Sequence, residues 1–318
     1  MKIAITGGTG FIGRHLTKSL IDAGHTLKVL TRAPHETNSN SSRLVYLYGD
    51  LSVESSLDAF VQDVDILFHC AGEVRSVAGM EDLHIQGTQR LINVAAGSIK
   101  RWVQLSSTGV YGFPRSGIIV EDSVNKPQGV YEITKSISDS LVTEASKRGA
   151  FECVILRPSV VFGADMPNQS LFSLLKIIES NKFFYIGSPG ASANYIHVKN
   201  VVDALKLCAF SPRAAGAIYN LSDYSTWEDF VGMFAQSLGV RTPLLRAPEL
   251  PIRLLATLLQ KIPGWPLKPS RVDALTTFVK YSDLKIRQEL GYSPCISIEN
   301  AIADLVRGYR RWYELKKN

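Results

Sequence analysis

The chain has 318 residues, of which 45% are hydrophobic and 20% charged, so it can bury a sizeable core as one large domain or two closely associated ones. Its net charge of +6 is compatible with anionic substrates or an acidic membrane surface, but no nucleic-acid motif accompanies it, and we expect no nucleic-acid partner. No stretch approaches the roughly 20 apolar residues of a membrane-spanning helix, and the first apolar run is too short for a secretory signal. We therefore expect a cytoplasmic protein, either soluble or peripheral at the inner membrane face. The four cysteines lack metal-ligand spacing, so no metal is expected.

Strands and helices alternate through the first half of the chain. The predicted strands are 3–5, 26–30, 44–48, 65–69, 101–106 and 153–156, and the predicted helices are 11–23, 57–61, 80–96 and 129–148. A polar loop is expected over 33–42. Alternation with helices of this length predicts an α/β fold, a doubly wound parallel sheet of Rossmann type.

Beyond Pro158 the alternation breaks down. A helix is predicted over 171–179, short strands over 183–186 and 195–198, a helix over 201–210 and a strand over 217–221. From Thr226 onward helices and prolines dominate. We expect a dinucleotide-binding domain over 1–162, with a return segment at about 196–222. A smaller, mostly helical substrate lobe is expected at about 163–195 and 223–318.

Three glycines at three-residue spacing, Gly7, Gly10 and Gly13, join the first strand to the first helix. Glycines let the backbone turn tightly and approach a pyrophosphate, and the helix N-terminus favours phosphate. A P-loop is excluded, because no Gly-Lys-Ser/Thr ending follows. The spacing and its strand–helix context predict dinucleotide binding.

Tyr131 and Lys135 share one face at the start of a predicted helix, since they are four residues apart. A neighbouring cation is expected to lower the pKa of a tyrosine towards neutrality, as an acid/base for alcohol–ketone interconversion needs. Ser106 and Ser107 follow the fifth strand and so lie at the same sheet edge. An ordinary exposed helix face and a serine-rich turn are the simpler interpretations of each motif alone.

Together these motifs resemble the extended short-chain dehydrogenase/reductases, the group of NAD-dependent sugar epimerases, dehydratases and 4-keto-sugar reductases. The resemblance covers nearly the whole chain. It rests on 6–13, 49–51, 68–72, 106–112, 131–135, 156–158, 195–198 and the late helix at 285–292. It implies that Tyr131 is the acid/base, that Ser107 aligns the substrate oxygen, and that Lys135 also holds the nicotinamide ribose. It further implies a homodimer through the helices at 80–96 and 129–148.

The same resemblance supplies the remaining candidate site residues. Those expected at the cofactor are Gly7, Thr9, Gly10, Phe11, Ile12, Gly13, Thr31, Arg32, Asp50, Leu51, Ala71, Gly72, Ser106, Tyr131, Lys135, Pro158 and Ser159. Those expected at the substrate are Arg75, Ser107, Thr108, Asn168 and Arg271.

Departures from the family pattern refine this expectation. Thr108 and Gly109 stand where 4,6-dehydratases carry an acid pair, so dehydration is disfavoured. Arg32 ends the second strand where NAD users carry a carboxylate, which favours NADP, with NAD as the alternative. Ala193-Asn194 replaces the Arg-Asp that commonly binds a sugar-nucleotide diphosphate, and His84 stands where Asn is common.

The apolar stretch 250–259 has two interpretations: a core helix of the lid, or a membrane-surface helix with Trp265 at the interface. We predict an NAD(P)-dependent oxidoreductase acting at C4 of a nucleotide- or polyprenyl-diphosphate-linked sugar. It would be a 4-keto-sugar reductase or 4-epimerase in cell-surface polysaccharide synthesis. The alternatives are an enzyme like 3β-hydroxysteroid dehydrogenase that acts on a lipid alcohol, and a non-catalytic NADP-binding scaffold.

Overall fold

The computed structural model describes residues 1–33, 43–167, 170–262 and 267–315. Its strands are β1 (Lys2–Thr6), β2 (Thr26–Thr31), β3 (Leu44–Tyr48), β4 (Ile66–His69), β5 (Arg101–Leu105), β6 (Ser116–Ile119), β7 (Glu152–Pro158), β8 (Val160–Phe162), β9 (Tyr185–Ile186), β10 (Ser192–His197), β11 (Ile218–Leu221), β12 (Asp223–Thr226), β13 (Arg246–Ala247) and β14 (Phe278–Tyr281). Its helices are α1 (Phe11–Asp22), α2 (Asp58–Val61), α3 (Val77–Glu81), α4 (Thr88–Ala95), α5 (Val130–Lys147), α6 (Ser170–Glu179), α7 (Val198–Phe210), α8 (Trp227–Leu238), α9 (Glu249–Leu259), α10 (Pro269–Leu275), α11 (Leu284–Leu290) and α12 (Ile298–Leu315).

Seven parallel strands form the main sheet, in the order β11-β7-β5-β4-β1-β2-β3. The strand order reverses between β1 and β4, so a crevice opens beyond their carboxyl ends, where folds of this kind bind ligands. One face packs against α1 and α7 through Leu16, Leu20 and Leu205. The other packs against α2, α4 and α5 through residues such as Leu91 and Val142. The doubly wound Rossmann fold predicted from the sequence is confirmed.

A second apolar core lies in the small lobe. There α6, α8 and α12 surround an aromatic cluster that includes Phe162, Phe172 and Phe230. Beside it, β12, β10 and β8 form a three-stranded sheet, and the pairs β13–β9 and β14–β6 are separate two-stranded sheets. Strand β8 belongs to this small sheet although it falls within 1–162, because it pairs with β10 and not with a main-sheet strand.

One predicted helix is divided in the structure, and strands β6, β8, β12, β13 and β14 have no counterpart among the predicted elements. The single helix expected over 80–96 is α3, a π-helical turn at Asp82–Gly87, and α4. The periodicity of apolar residues does not show one wider turn inside a helix, so the sequence did not predict this turn.

Except for Ala33, the polar loop expected over 33–42 lies outside the described residues. Within the described ranges, no helix has the length and apolar character needed to cross a membrane.

Among the glycines that the structure describes, Gly13 has the least room. A Cβ there would lie 2.0 Å from the carbonyl oxygen of Gly7, a backbone atom that cannot swing away. We predict that Gly13→Ala lowers the free energy of unfolding by more than about 2 kcal/mol, because the clash forces the first turn apart. Urea unfolding followed by circular dichroism measures this.

Gly232, inside α8, is the matched control, because a Cβ there meets nothing within 4 Å. Gly232→Ala should raise stability by up to about 1 kcal/mol through helix propensity. Equal urea midpoints of unfolding for Gly13→Ala and Gly232→Ala would show that the close contact at Gly13 has no effect on stability.

Candidate active site

The glycine turn sits against the backbone of the neighbouring strand. Gly7 has a φ of +67°, and a Cβ there would lie 2.6 Å from the amide nitrogen of Ala71. Gly10 is the N-cap of α1 and has no side-chain cap, so side chains do not cover the first amides of the helix. A helix N-terminus in this state attracts phosphate.

A cleft of about 330 Å³ follows the carboxyl ends of β1 to β4. Of the residues expected at the cofactor, those lining this cleft are Gly7, Thr9, Gly10, Thr31, Arg32, Asp50, Leu51, Ala71 and Gly72. Sequence reasoning missed Ser52, Glu73 and Leu83, which also line it. For Glu73, the only signal in the sequence is that it directly follows Gly72, a residue expected at the cofactor.

Three expected cofactor residues lie on α1, away from the lining of the cleft. Phe11 packs against the aromatic core of the small lobe, and Ile12 packs against the main core. Gly13 lies against Gly7. Their side chains or backbone support the turn, and a contact of their backbone amides with the cofactor stays a prediction.

A second group of expected site residues lies where β5 and β7 finish, and Ser107, Tyr131, Lys135, Pro158 and Ser159 are not among the residues that line the cleft. Pro158 and Ser159 are buried there, and Ser159 Oγ has no hydrogen-bond partner among the described residues. A buried hydroxyl without a partner fits a pocket completed by a polar ligand. Together with the glycine cradle, this buried hydroxyl is consistent with a dinucleotide site, and the place of Ser159 at the nicotinamide stays a prediction.

Tyr131 and Ser107 meet near these strand ends. Tyr131 begins α5 and Ser107 follows β5; both are half-buried, and a hydrogen bond joins their hydroxyls. Burial, reinforced by Glu132 and Asp139, raises the pKa of Tyr131 to about 12, and Ser107 opposes that rise. The sequence-based expectation of a pKa lowered towards neutrality is therefore wrong for the chain by itself. The phenol is protonated at neutral pH.

The position of Lys135 explains why the pKa of Tyr131 is not lowered. It is buried one turn after Tyr131, and its Nζ donates to the carbonyl oxygen of Leu105 at 2.6 Å. Burial lowers the pKa of Lys135, while Asp139 opposes the change. The ammonium is therefore held at the end of β5. The four-residue spacing of Tyr131 and Lys135 along the helix does not predict this contact.

A buried ion pair fixes α5 to the sheet. Arg157 Nη2 on β7 donates to Asp139 Oδ2 at 3.2 Å, and Ser106 Oγ donates to the same oxygen at 2.7 Å. Arg157 also donates to the hydroxyl of Tyr111 at 3.0 Å. Ser106, expected at the cofactor, thus serves the helix-anchoring network in the structure.

His84 forms a second buried network beneath Tyr131. Its Nε2 accepts from the amide of Glu73 at 3.0 Å, so Nδ1 carries the proton and donates to Thr134 Oγ1 at 2.8 Å. Burial and then Lys135 lower the pKa of His84 to about 4, so the ring is neutral. It lies edge-on to the Tyr131 ring, with centroids 5.7 Å apart. In the sequence, the only signal for His84 is that it stands where the family commonly has Asn.

The expected substrate residues are dispersed. Thr108 is buried and hydrogen-bonds Tyr281, while Arg75 is exposed on the loop after Gly72. Asn168 lies outside the described residues. Arg271 lines a separate pocket of about 480 Å³ in the small lobe.

A family model, NAD dependent epimerase/dehydratase family, matches residues 3–222. The chain belongs to this family. It is therefore an enzyme of the extended short-chain dehydrogenase/reductase group that uses NAD(P).

Three similar proteins show the range of this family. The chain is 27% identical to 3beta-hydroxysteroid-dehydrogenase/decarboxylase isoform 2 of Arabidopsis thaliana, over 94% of this chain but only 60% of that relative's length. It is 26% identical to the 4-hydroxy-2-methyl-3-oxo-4-farnesyl-3,4-dihydroquinoline-1-oxide ketoreductase of Stigmatella aurantiaca, over 92% of both chains. The UDP-glucuronic acid 4-epimerase of Bacillus cereus, solved in complex with NAD, has a TM-score of 0.77 at 19% identity over 98% of this chain and 100% of that one.

Asp50, which the sequence analysis expects at the cofactor, lies close to Arg32, and the sequence argument for NADP does not include this contact. Asp50 Oδ2, from the end of β3, lies 3.8 Å from Arg32 Nε. That distance is too long for a hydrogen bond, so Asp50 offsets the charge of Arg32 without accepting from this N–H group. Arg32 also acts electrostatically on Glu73, so two carboxylates share its charge and the preference for NADP stays a prediction.

We predict that Arg32→Ala weakens NADPH binding roughly tenfold or more and leaves NADH binding within about twofold, because a charged hydrogen bond to phosphate is lost. Titration of the intrinsic fluorescence with each cofactor measures this. Equal losses for the two cofactors would show that Arg32 contacts adenine or ribose and does not select NADP.

Proposed function

We propose that the enzyme moves hydride at C4 of a sugar linked to a polyprenyl diphosphate, as a 4-keto-sugar reductase or 4-epimerase of cell-surface polysaccharide synthesis. The observation that carries the proposal is an apolar pocket of about 480 Å³ in the small lobe. Val160, one residue after Ser159, pairs with Tyr195, and Tyr195 lines the pocket. The pocket is thus one strand away from the end of β7. The C4 position itself rests on the family resemblance.

The lining of this pocket favours a lipid carrier over a nucleotide. Its apolar residues are Leu171, Leu174, Ile177, Phe183, Phe184, Ile186, Leu267, Ala274 and Leu275. Burying the polar edges of a base among such side chains is costly, whereas an isoprenoid chain gains from it. Two cations, Lys182 and Arg271, also line the pocket and suit a diphosphate.

The chain's own groups are arranged for ketone reduction. The nicotinamide group would supply the hydride when the cofactor is bound. Tyr131, neutral because of its raised pKa, would donate its phenolic proton to the oxygen of the ketone, and Ser107 would align that oxygen by a hydrogen bond. Lys135 would hold the ribose, as the resemblance implies. A protonated phenol at neutral pH is the form that proton donation in ketone reduction requires.

A second candidate is a sterol-like or terpenoid alcohol or ketone, which the apolar lining would also accept. Two relatives whose names include a hydroxysteroid and a farnesyl-bearing ketone favour it. Such a substrate need not carry a diphosphate. Its turnover should therefore not depend on Lys182 and Arg271, whereas turnover of the diphosphate substrate should.

We predict that Tyr131→Phe lowers kcat for ketone reduction by roughly a thousandfold, because the proton donor is lost while the ring remains. Binding of NADPH should change by less than about twofold. Steady-state NADPH oxidation and fluorescence titration measure the two quantities.

Tyr224→Phe is the matched control, since Tyr224 is an exposed tyrosine on β12 outside the cleft. It should leave kcat unchanged. A Tyr131→Phe enzyme that retained more than about a tenth of the activity would overturn the role of Tyr131 as proton donor.

A further inference from the structure

Helix α9 exposes several of its leucine side chains to solvent. Leu250, Leu254 and Leu258 are 79%, 63% and 69% exposed, and their spacing of four residues aligns them along one stripe. Leu255 is exposed beside them. We call Leu250, Leu254, Leu255 and Leu258 the leucine face. A helix bordering water normally presents the opposite arrangement.

The charged residues of α9 point towards the protein. Arg253 donates to Asp273 at 2.7 Å and to Glu249 at 2.7 Å, and Glu249 also accepts from Arg115 at 3.0 Å. Ala256, on the same side, is completely buried. The orientation of α9 is therefore fixed by ion pairs and packing on its inner side, which leaves the leucine face for another surface.

Charge identifies the kind of surface. Between residues 241 and 275 the chain has six basic residues, Arg241, Arg246, Arg253, Lys261, Lys268 and Arg271, and two acidic ones, Glu249 and Asp273. Both acidic side chains are in ion pairs with Arg253 and Arg115, and of the basic residues Arg246 is in an ion pair with Glu228. An apolar helix face within a basic segment is complementary to an anionic lipid surface.

A second copy of the chain is a poorer partner for this face. A two-fold contact would bring the same basic segment against itself, and like charges would repel. The dimer contact expected from the family resemblance also lies elsewhere, on α4 and α5, where Ile133 and Ile137 are partly exposed.

We propose that the leucine face docks the enzyme onto an anionic phospholipid surface, with α9 lying in the plane of the interface. The docking itself does not depend on the proposed function. It would, however, bring the small-lobe pocket close to the lipid. Helix α10 connects the two features: Val272 and Leu275 pack in one cluster with Ala256 of α9, and Leu275 also lines the pocket.

Co-sedimentation with vesicles tests this proposal. The full chain should bind vesicles of phosphatidylcholine mixed with phosphatidylglycerol, bind pure phosphatidylcholine less tightly, and be released by high salt. Leu254→Gln combined with Leu258→Gln should weaken binding by at least about tenfold, because apolar area no longer enters the interface. Lys261→Glu combined with Lys268→Glu should weaken binding to the anionic vesicles alone.

Leu284→Gln and Leu315→Gln are the matched controls, since both leucines are exposed on other helices, at 60% and 79%. These variants should bind as the wild type does, and circular dichroism with NADPH titration should show all variants folded. Failure of the wild type to bind either vesicle, or equal binding by the Leu254/Leu258 variant, would overturn the proposal. So would a wild-type dimer that the same substitutions dissociate, since the face would then join two copies.

Discussion

One buried carboxylate, Asp139, holds the elements of the candidate active site together. It joins α5 to β7 through Arg157 and to the end of β5 through Ser106. Tyr131 and Lys135 stand on the first turns of the same helix, so their positions over the sheet edge depend on this contact. Removing one partner of a buried ion pair leaves an uncompensated charge in the interior, at a cost of about 3–5 kcal/mol. The geometry of the site is thus tied to the stability of the fold.

The same contact has an electrostatic consequence. Asp139 and Glu132 add to the burial that raises the pKa of Tyr131 to about 12, and Lys135 is held by the carbonyl oxygen of Leu105. The protein alone therefore keeps the phenol of Tyr131 protonated, which is the form that the proposed proton donor needs. Below it, His84 is kept neutral and bonded to Thr134, whose hydroxyl donates to the carbonyl oxygen of Tyr131 at 3.1 Å. Two networks thus hold the first turn of α5 from beneath.

Features set by local sequence were predictable, and those set by distant contacts were not. Glycine spacing and alternating apolar runs predicted the sheet, its helices and the glycine turn, because each depends on neighbours along the chain. The pKa of Tyr131 and the approach of Asp50 to Arg32 depend on residues brought together by folding. The stretch 250–259 was ambiguous for the same reason, since an apolar run does not reveal which side of a helix faces the core. The expected Trp265 contact lies outside the described residues.

The central claim is that the small-lobe pocket selects a lipid-borne ketone. The most direct measurement compares kcat/KM for one 4-keto sugar presented on a short polyprenyl diphosphate and on uridine diphosphate, with NADPH as reductant. We predict a preference of roughly a hundredfold for the polyprenyl form. Leu174→Asp, in the pocket lining, should remove that preference, because a carboxylate there opposes both the apolar chain and the diphosphate. An equal or higher kcat/KM for the uridine diphosphate form would contradict the account.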